Sequence, residues 1–133
     1  MNTSAQYRSY GWWVDHDPRT DRTTLIVGGR VSALRMPAEL AARVHRVLTI
    51  HLQAGPVLVD GTDWVLFTQA DGRRDLPADL RDVRVVAPGT RLELPPPDDA
   101  RWVDRADRPV PPWQVVVSAT RRACAEATLR ATA

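Results

Sequence analysis

The sequence predicts an α+β fold, a mainly antiparallel sheet built from hairpins with two main helices packed on one face. Three observations predict it. Turn dipeptides at Gly28-Gly29, Asp60-Gly61 and Pro88-Gly89 each separate two apolar runs of strand length. Two longer segments, starting near Pro37 and near Pro111, have helical character. The predicted order is ββ-α-ββ-(α)-ββ-α in a single domain over residues 1–133.

Residues 1–22 carry no clear period and are expected to form an N-terminal arm or hairpin strand, ordered by Trp12 and Trp13. Asp15-His16-Asp17-Pro18-Arg19-Thr20-Asp21 is turn chemistry that would join Trp12–Asp15 to Thr23–Val27. Gly28-Gly29 then supplies the positive φ of a type I′ turn leading into Arg30–Leu34. The first main helix is expected from Pro37 to Gln53. Proline is tolerated in a first turn, and Leu40, Val44, Val47, Leu48 and His51 form one stripe. Gly55-Pro56 is its expected stop.

Asp60-Gly61 pairs Pro56–Val59 with Trp64–Thr68, and Leu76–Leu80 is read as a short helical turn. Pro88-Gly89 fits the centre of a type II turn between the strand at Val83–Ala87 and the one that follows. Beyond it Leu92 and Leu94 share one face, with Arg91 and Glu93 on the other. Residues 95–112 are rich in proline and charge and are expected to form an ordered loop. The second helix runs from Pro111-Pro112 to about Arg130, and its shallow face of Val116, Ala119, Ala123 and Ala127 implies close packing on a sheet.

Composition bounds the function. The 44% hydrophobic and 26% charged content is that of a soluble globular chain. No apolar run approaches the ~20 residues that span a bilayer, and the first residues lack the apolar core of a signal peptide. A lone Cys124 forms no internal disulfide, so a cytoplasmic location with no membrane partner is expected. All eighteen basic residues are arginine. Arginine favours phosphate and carboxylate recognition, but codon bias in a GC-rich bacterial genome explains the same usage. The net charge is only +2, with sixteen acids interleaved, which argues against a strong non-specific nucleic-acid binder.

Five tryptophans are many for this length. Beside arginines they can stack unpaired bases, and they can equally fill a core that has one phenylalanine. Candidate nucleic-acid or ligand contacts are Arg8 with Trp12 and Trp13, Arg30, Arg35, and Arg101 and Arg105 around Trp102. Trp64 and Trp113 are read as core, while either Trp12 or Trp13 is expected to face outward. Asp15, His16, Asp17 and Asp21 are the one dense set of metal-capable groups. They would serve a small metal-dependent enzyme, although a calcium or zinc site needs more ligands than this segment offers. His45 lies off the helical stripe and is read as solvated, His51 as a hydrogen-bonded boundary residue, and Cys124 as a small buried thiol.

Leu25–Pro37 ahead of a helix, Ala54-Gly55-Pro56-Val57, Trp64–Phe67, and Val85–Pro97 with Arg101-Trp102 together resemble the bacterial bifunctional DNA primase/polymerase domain, of the archaeo-eukaryotic primase superfamily. The resemblance spans about Thr23 to Trp113. It implies a strand ending in a metal-binding Asp-x-Asp pair, a hairpin histidine for nucleotide phosphates and a further acid. Here Ser32-Ala33-Leu34-Arg35 carries no carboxylate, Asp63-Trp64 brings no histidine, and Val83–Ala87 supplies no acid near its end. Phosphoryl transfer of this kind needs carboxylates to hold its cations.

The resemblance therefore implies a degenerate, catalytically inactive, primase-polymerase-like domain that needs no cofactor and acts as a binding or regulatory module. A protein partner is favoured by the balanced charge, with weak nucleic-acid or nucleotide binding beside it. The alternatives are the metal-dependent enzyme above and a structural homodimer subunit.

Overall fold

The computed structural model describes residues 2–132 and has three helices and two antiparallel sheets, an α+β fold. In chain order the elements are α1 (Thr3–Ser9), β1 (Val14–Asp17), β2 (Arg22–Ile26), β3 (Val31–Pro37), α2 (Ala38–Ile50), β4 (Val57–Asp60), β5 (Asp63–Gln69), β6 (Arg84–Val85), β7 (Arg91–Leu94), β8 (Trp102–Asp104) and α3 (Trp113–Thr132). The smaller sheet has the order β1-β2-β7 and the larger the order β6-β3-β5-β4-β8.

Side chains alternate across a strand, so a strand buried on both faces reads as a nearly continuous apolar run. β3 and β5 are such strands. Val31 and Ala33, with Val65 and Phe67, belong to a core shared with Trp12, Val14, Leu25 and Leu94 of the smaller sheet and its approach. Leu34 and Met36, with Leu66, belong to a second core shared with Ala41, Val44 and Leu48 of α2 and Trp113, Val116 and Ala123 of α3. The molecule is thus three layers: small sheet, large sheet, and the α2–α3 pair.

Two of the three predicted hairpins are corrected. β2 does not pair with β3, nor β6 with β7; in each case the chain passes from one sheet to the other. The two turns nevertheless form, and they lock together. Gly28 donates to the Val31 carbonyl at 2.8 Å, with φ +105, and Gly29 lies outside the left-handed region. Thr90 donates to the Ala87 carbonyl at 3.1 Å across Pro88-Gly89. Val27 donates to Thr90 and Gly89 to Val27, at 3.0 and 2.8 Å, so the two crossovers are joined backbone to backbone. Local turn chemistry was readable; which strand each run joined was decided by packing.

The β4–β5 hairpin forms as expected, one residue displaced. Asp60 pairs with Asp63, which leaves Gly61-Thr62 as the two-residue loop. The Asp15–Asp21 segment joins β1 to β2 as a hairpin, Val14 opposite Leu25. The N-terminal arm contains α1, capped by Asn2, whose side chain accepts from the Ala5 amide. Leu76–Leu80 is a turn rather than a helix, with Leu80 donating to Pro77 at 3.1 Å. The proline-rich 95–112 stretch is not wholly loop, because β8 within it pairs with β4.

α2 ends earlier than Gly55 predicts. Gln53 donates to Leu48 and Leu52 to Thr49, at 2.8 and 3.1 Å, the two bonds of a Schellman cap. Leu52 holds the left-handed position, φ +58, where glycine is usual. The alanine face of α3 turns chiefly to α2 and only in part to the sheet, with Ala119 and Ala123 letting the two helices approach.

Candidate functional site

Most of the predicted stacking surface is interior. Trp12 and Trp102 are 4% and 8% exposed. With Tyr7, Tyr10 and Phe67 they form one aromatic cluster between the sheets, adjacent ring centroids 5.0 to 6.2 Å apart. Trp102 Nε1 donates to the Tyr7 hydroxyl at 3.1 Å, and that hydroxyl donates to the Pro95 carbonyl, so the cluster's polar atoms are satisfied inside. Burial drives the Tyr7 phenol far above its ordinary pKa. Trp113 is core as expected, whereas Trp64 is only half-buried at the edge of the second core. Trp13 is the outward residue of its pair, 57% exposed, its ring lying over Gly29.

At least nine of the eighteen arginines are held in ion pairs with Asp or Glu. Arg35 binds Asp60 at 2.8 Å, Arg101 binds Asp99 at 3.1 Å and Arg105 meets Asp107 at 3.5 Å. Hydrogen bonds from Arg101 hold the Asp99 carboxyl below its usual range. Arg8 donates to the Val14 carbonyl at 3.2 Å. Of the eight predicted contact residues, only Arg30 and Trp13 remain exposed and uncommitted among the described residues.

The acidic segment does not converge. Asp15 binds Arg91 at 2.9 Å, and His16 meets Asp21 at 3.3 Å. Asp17 accepts from the Arg19 amide, and that backbone bond is the main cause holding its carboxyl low. Among the described residues no three His, Cys, Asp or Glu side chains are grouped to hold a metal ion. His45 corrects its expectation: it is half-buried, and its Nε2 lies 2.9 Å from Asp104, which also pairs with Arg108. The His45–Asp104 contact ties α2 to β8. Cys124 is half-buried, and burial, then Asp79 and Asp82, push its thiol pKa upward, away from a reactive thiolate.

The feature the sequence did not single out is a cleft between α2 and α3. It has a volume of about 460 Å³ and is lined by Val47, Leu48 and His51 from α2 and its cap, and by Val115, Ser118 and Arg122 from α3. The small side chains of Ser118 and Ala119 leave the space that larger ones would fill. Arg122 Nη1 lies 3.2 Å from His51 Nε2 across the cleft. A guanidinium only donates, so His51 Nε2 is the acceptor in this contact. His51 makes the hydrogen bond expected of it, but it is exposed rather than at the boundary of the core.

Ile50 lines a smaller hollow that adjoins the cleft, and Leu52 stands in the chain between His51 and Gln53 of the cleft wall; they are 69% and 91% exposed. The available signal is the apolar stripe of α2: Val44 and Leu48 of it are buried, whereas Val47 lines this cleft and Ile50 beside the stripe lines the adjoining hollow. Among the described residues no helix is long and apolar enough to cross a membrane. Comparison with protein-family models, curated proteins and solved structures finds no match for the chain.

Proposed function

We propose that the chain is a non-catalytic binding module whose partner is another protein and whose working surface is the α2–α3 cleft. One observation carries this reading. A concave, mostly apolar cleft lies between two helices, with exposed Ile50 in the hollow that adjoins it and exposed Leu52 next in the chain to His51 of its wall, and such clefts are the usual interaction sites on folded domains. The groups that would recognise nucleic acid are mostly spent elsewhere, in the aromatic core and in ion pairs.

The reading keeps the degenerate primase-polymerase-like ancestry as a proposal. Asp60 and Asp63, which flank the β4–β5 turn, are each occupied by an arginine, Arg35 and Arg84. Carboxylates so neutralised are poorly placed to grip a cation. A reducing cytoplasm is the proposed setting, from the single cysteine. A second reading, nucleotide or single-strand binding, is favoured only by exposed Trp13, whose ring lies over Gly29, next in the chain to exposed Arg30.

Ser118 is exposed and lines the cleft, so Ser118→Trp fills it without entering the core. The probe is a synthetic amphipathic helix with an apolar face of leucines and a neutral glutamine face. Calorimetric titration should show binding to the natural chain and about tenfold or greater loss in the variant, with melting temperature unchanged. Equal affinity for both proteins would remove the cleft from its proposed role.

A further inference from the structure

The cleft continues past the His51–Arg122 contact into a smaller hollow of about 80 Å³ lined by Arg43, Arg46, Ile50 and Glu126. The two hollows share Val47, His51 and Arg122, and so form one furrow along the helix pair. Three arginines face one glutamate there. Arg122 reaches Glu126 at 3.4 Å and Arg43 reaches Glu39 at 3.6 Å, both loose contacts with exposed acids. Arg46 has no acidic partner among the described residues. The floor is apolar and the rim is positive.

Leu52 adds an independent observation. Its backbone sits at φ +58, in the cap position that glycine fills without strain, and its side chain is almost wholly in solvent. The fold gains nothing from a leucine there. Its apolar surface becomes favourable only when something covers it.

We propose that this furrow docks an acidic amphipathic helix of a partner protein. Apolar residues at i, i+3 or i+4 and i+7 would lie on Val47, Val115 and Leu52, with carboxylates against Arg43, Arg46 and Arg122. The inference rests on the cleft being the binding surface and adds the sign and form of its partner. A small molecule filling the cleft would leave Ile50 and Leu52 wet. A bilayer is too flat to enter a concave furrow. A second copy docking by this face would bring like charges together across a two-fold axis.

Three helical peptides with one apolar face and a Glu, Gln or Lys polar face test it against the full chain. The Glu peptide should bind about tenfold more tightly than the Gln peptide near 0.05 M salt, and the two should converge near 0.5 M, as screening predicts for about three exposed charge pairs. Arg46→Glu should weaken the Glu peptide and improve the Lys peptide. Leu52→Gly should raise the melting temperature yet weaken the Glu peptide about three- to tenfold, an opposition that a merely structural leucine would not produce.

Equal affinities for Glu and Gln at both salts would end the acidic partner and leave the cleft standing as a binding surface. No binding of any peptide would end both. Retention by phosphatidylserine vesicles without Glu-peptide binding would overturn the proposal in favour of a membrane surface. A concentration-dependent dimer abolished by Ser118→Trp would overturn it in favour of self-association.

Discussion

Trp12→Ala is expected to lower the stability of the chain by about 3–5 kcal/mol, while Trp13→Ala lowers it by less than about 1 kcal/mol. The two residues are neighbours in sequence and opposite in environment. Trp12 packs on Phe67 at 5.0 Å and on Tyr7 at 5.5 Å between centroids, so its removal leaves a cavity between the two sheets. Trp13 lies on the surface over Gly29 and leaves only solvent behind. Urea unfolding with the slope held in common measures both. A Trp12→Ala loss near that of Trp13→Ala would mean that the aromatic cluster is not the core between the sheets.

Gly28→Ala is expected to cost about 2–4 kcal/mol, from backbone strain at positive φ together with overpacking. An added Cβ would meet Pro88 Cβ at 2.8 Å and its Cα at 3.0 Å, and neither can swing away. The damage falls where β2→β3 and β6→β7 cross between the sheets, so the loss should spread to both layers. Gly11→Ala is the control. Its φ of +87 is also positive and beyond the left-handed basin of L residues, but nothing lies within 4 Å, and it should cost only about 1–2 kcal/mol. Thermal unfolding of the two variants separates strain from contact; equal losses would show that the packing on Pro88 contributes nothing.

What the sequence made legible follows from how local each determinant is. The turn at Pro88-Gly89, the alternation of Leu92 and Leu94 against Arg91 and Glu93, and the stripe of α2 are set within a few residues, and the structure has all three. Strand partnership is set by burial across the molecule. Arg30–Leu34 therefore looked like the return strand of Thr23–Val27, when β3 instead pairs with β5 and β6. Tryptophan gives the same signal whether it is core or contact, and only the fold separates Trp12 from Trp13. His45 looked solvated because its partner Asp104 lies 59 residues away. The cleft was unreadable for a related reason: it is the gap left where the small residues of α3 pass α2, and no contiguous motif encodes a gap.

The most direct measurement compares the two surfaces in one sample. Amide-resolved NMR of the full chain would be recorded during titration with the glutamine-faced helical peptide, and separately with an oligothymidylate. The account predicts peptide-induced shifts clustered at Val47, His51, Ser118 and Arg122, with no localised response to the oligonucleotide. Shifts concentrated at Trp13 and Arg30 on adding the oligonucleotide, with the α2–α3 amides silent to the peptide, would contradict it.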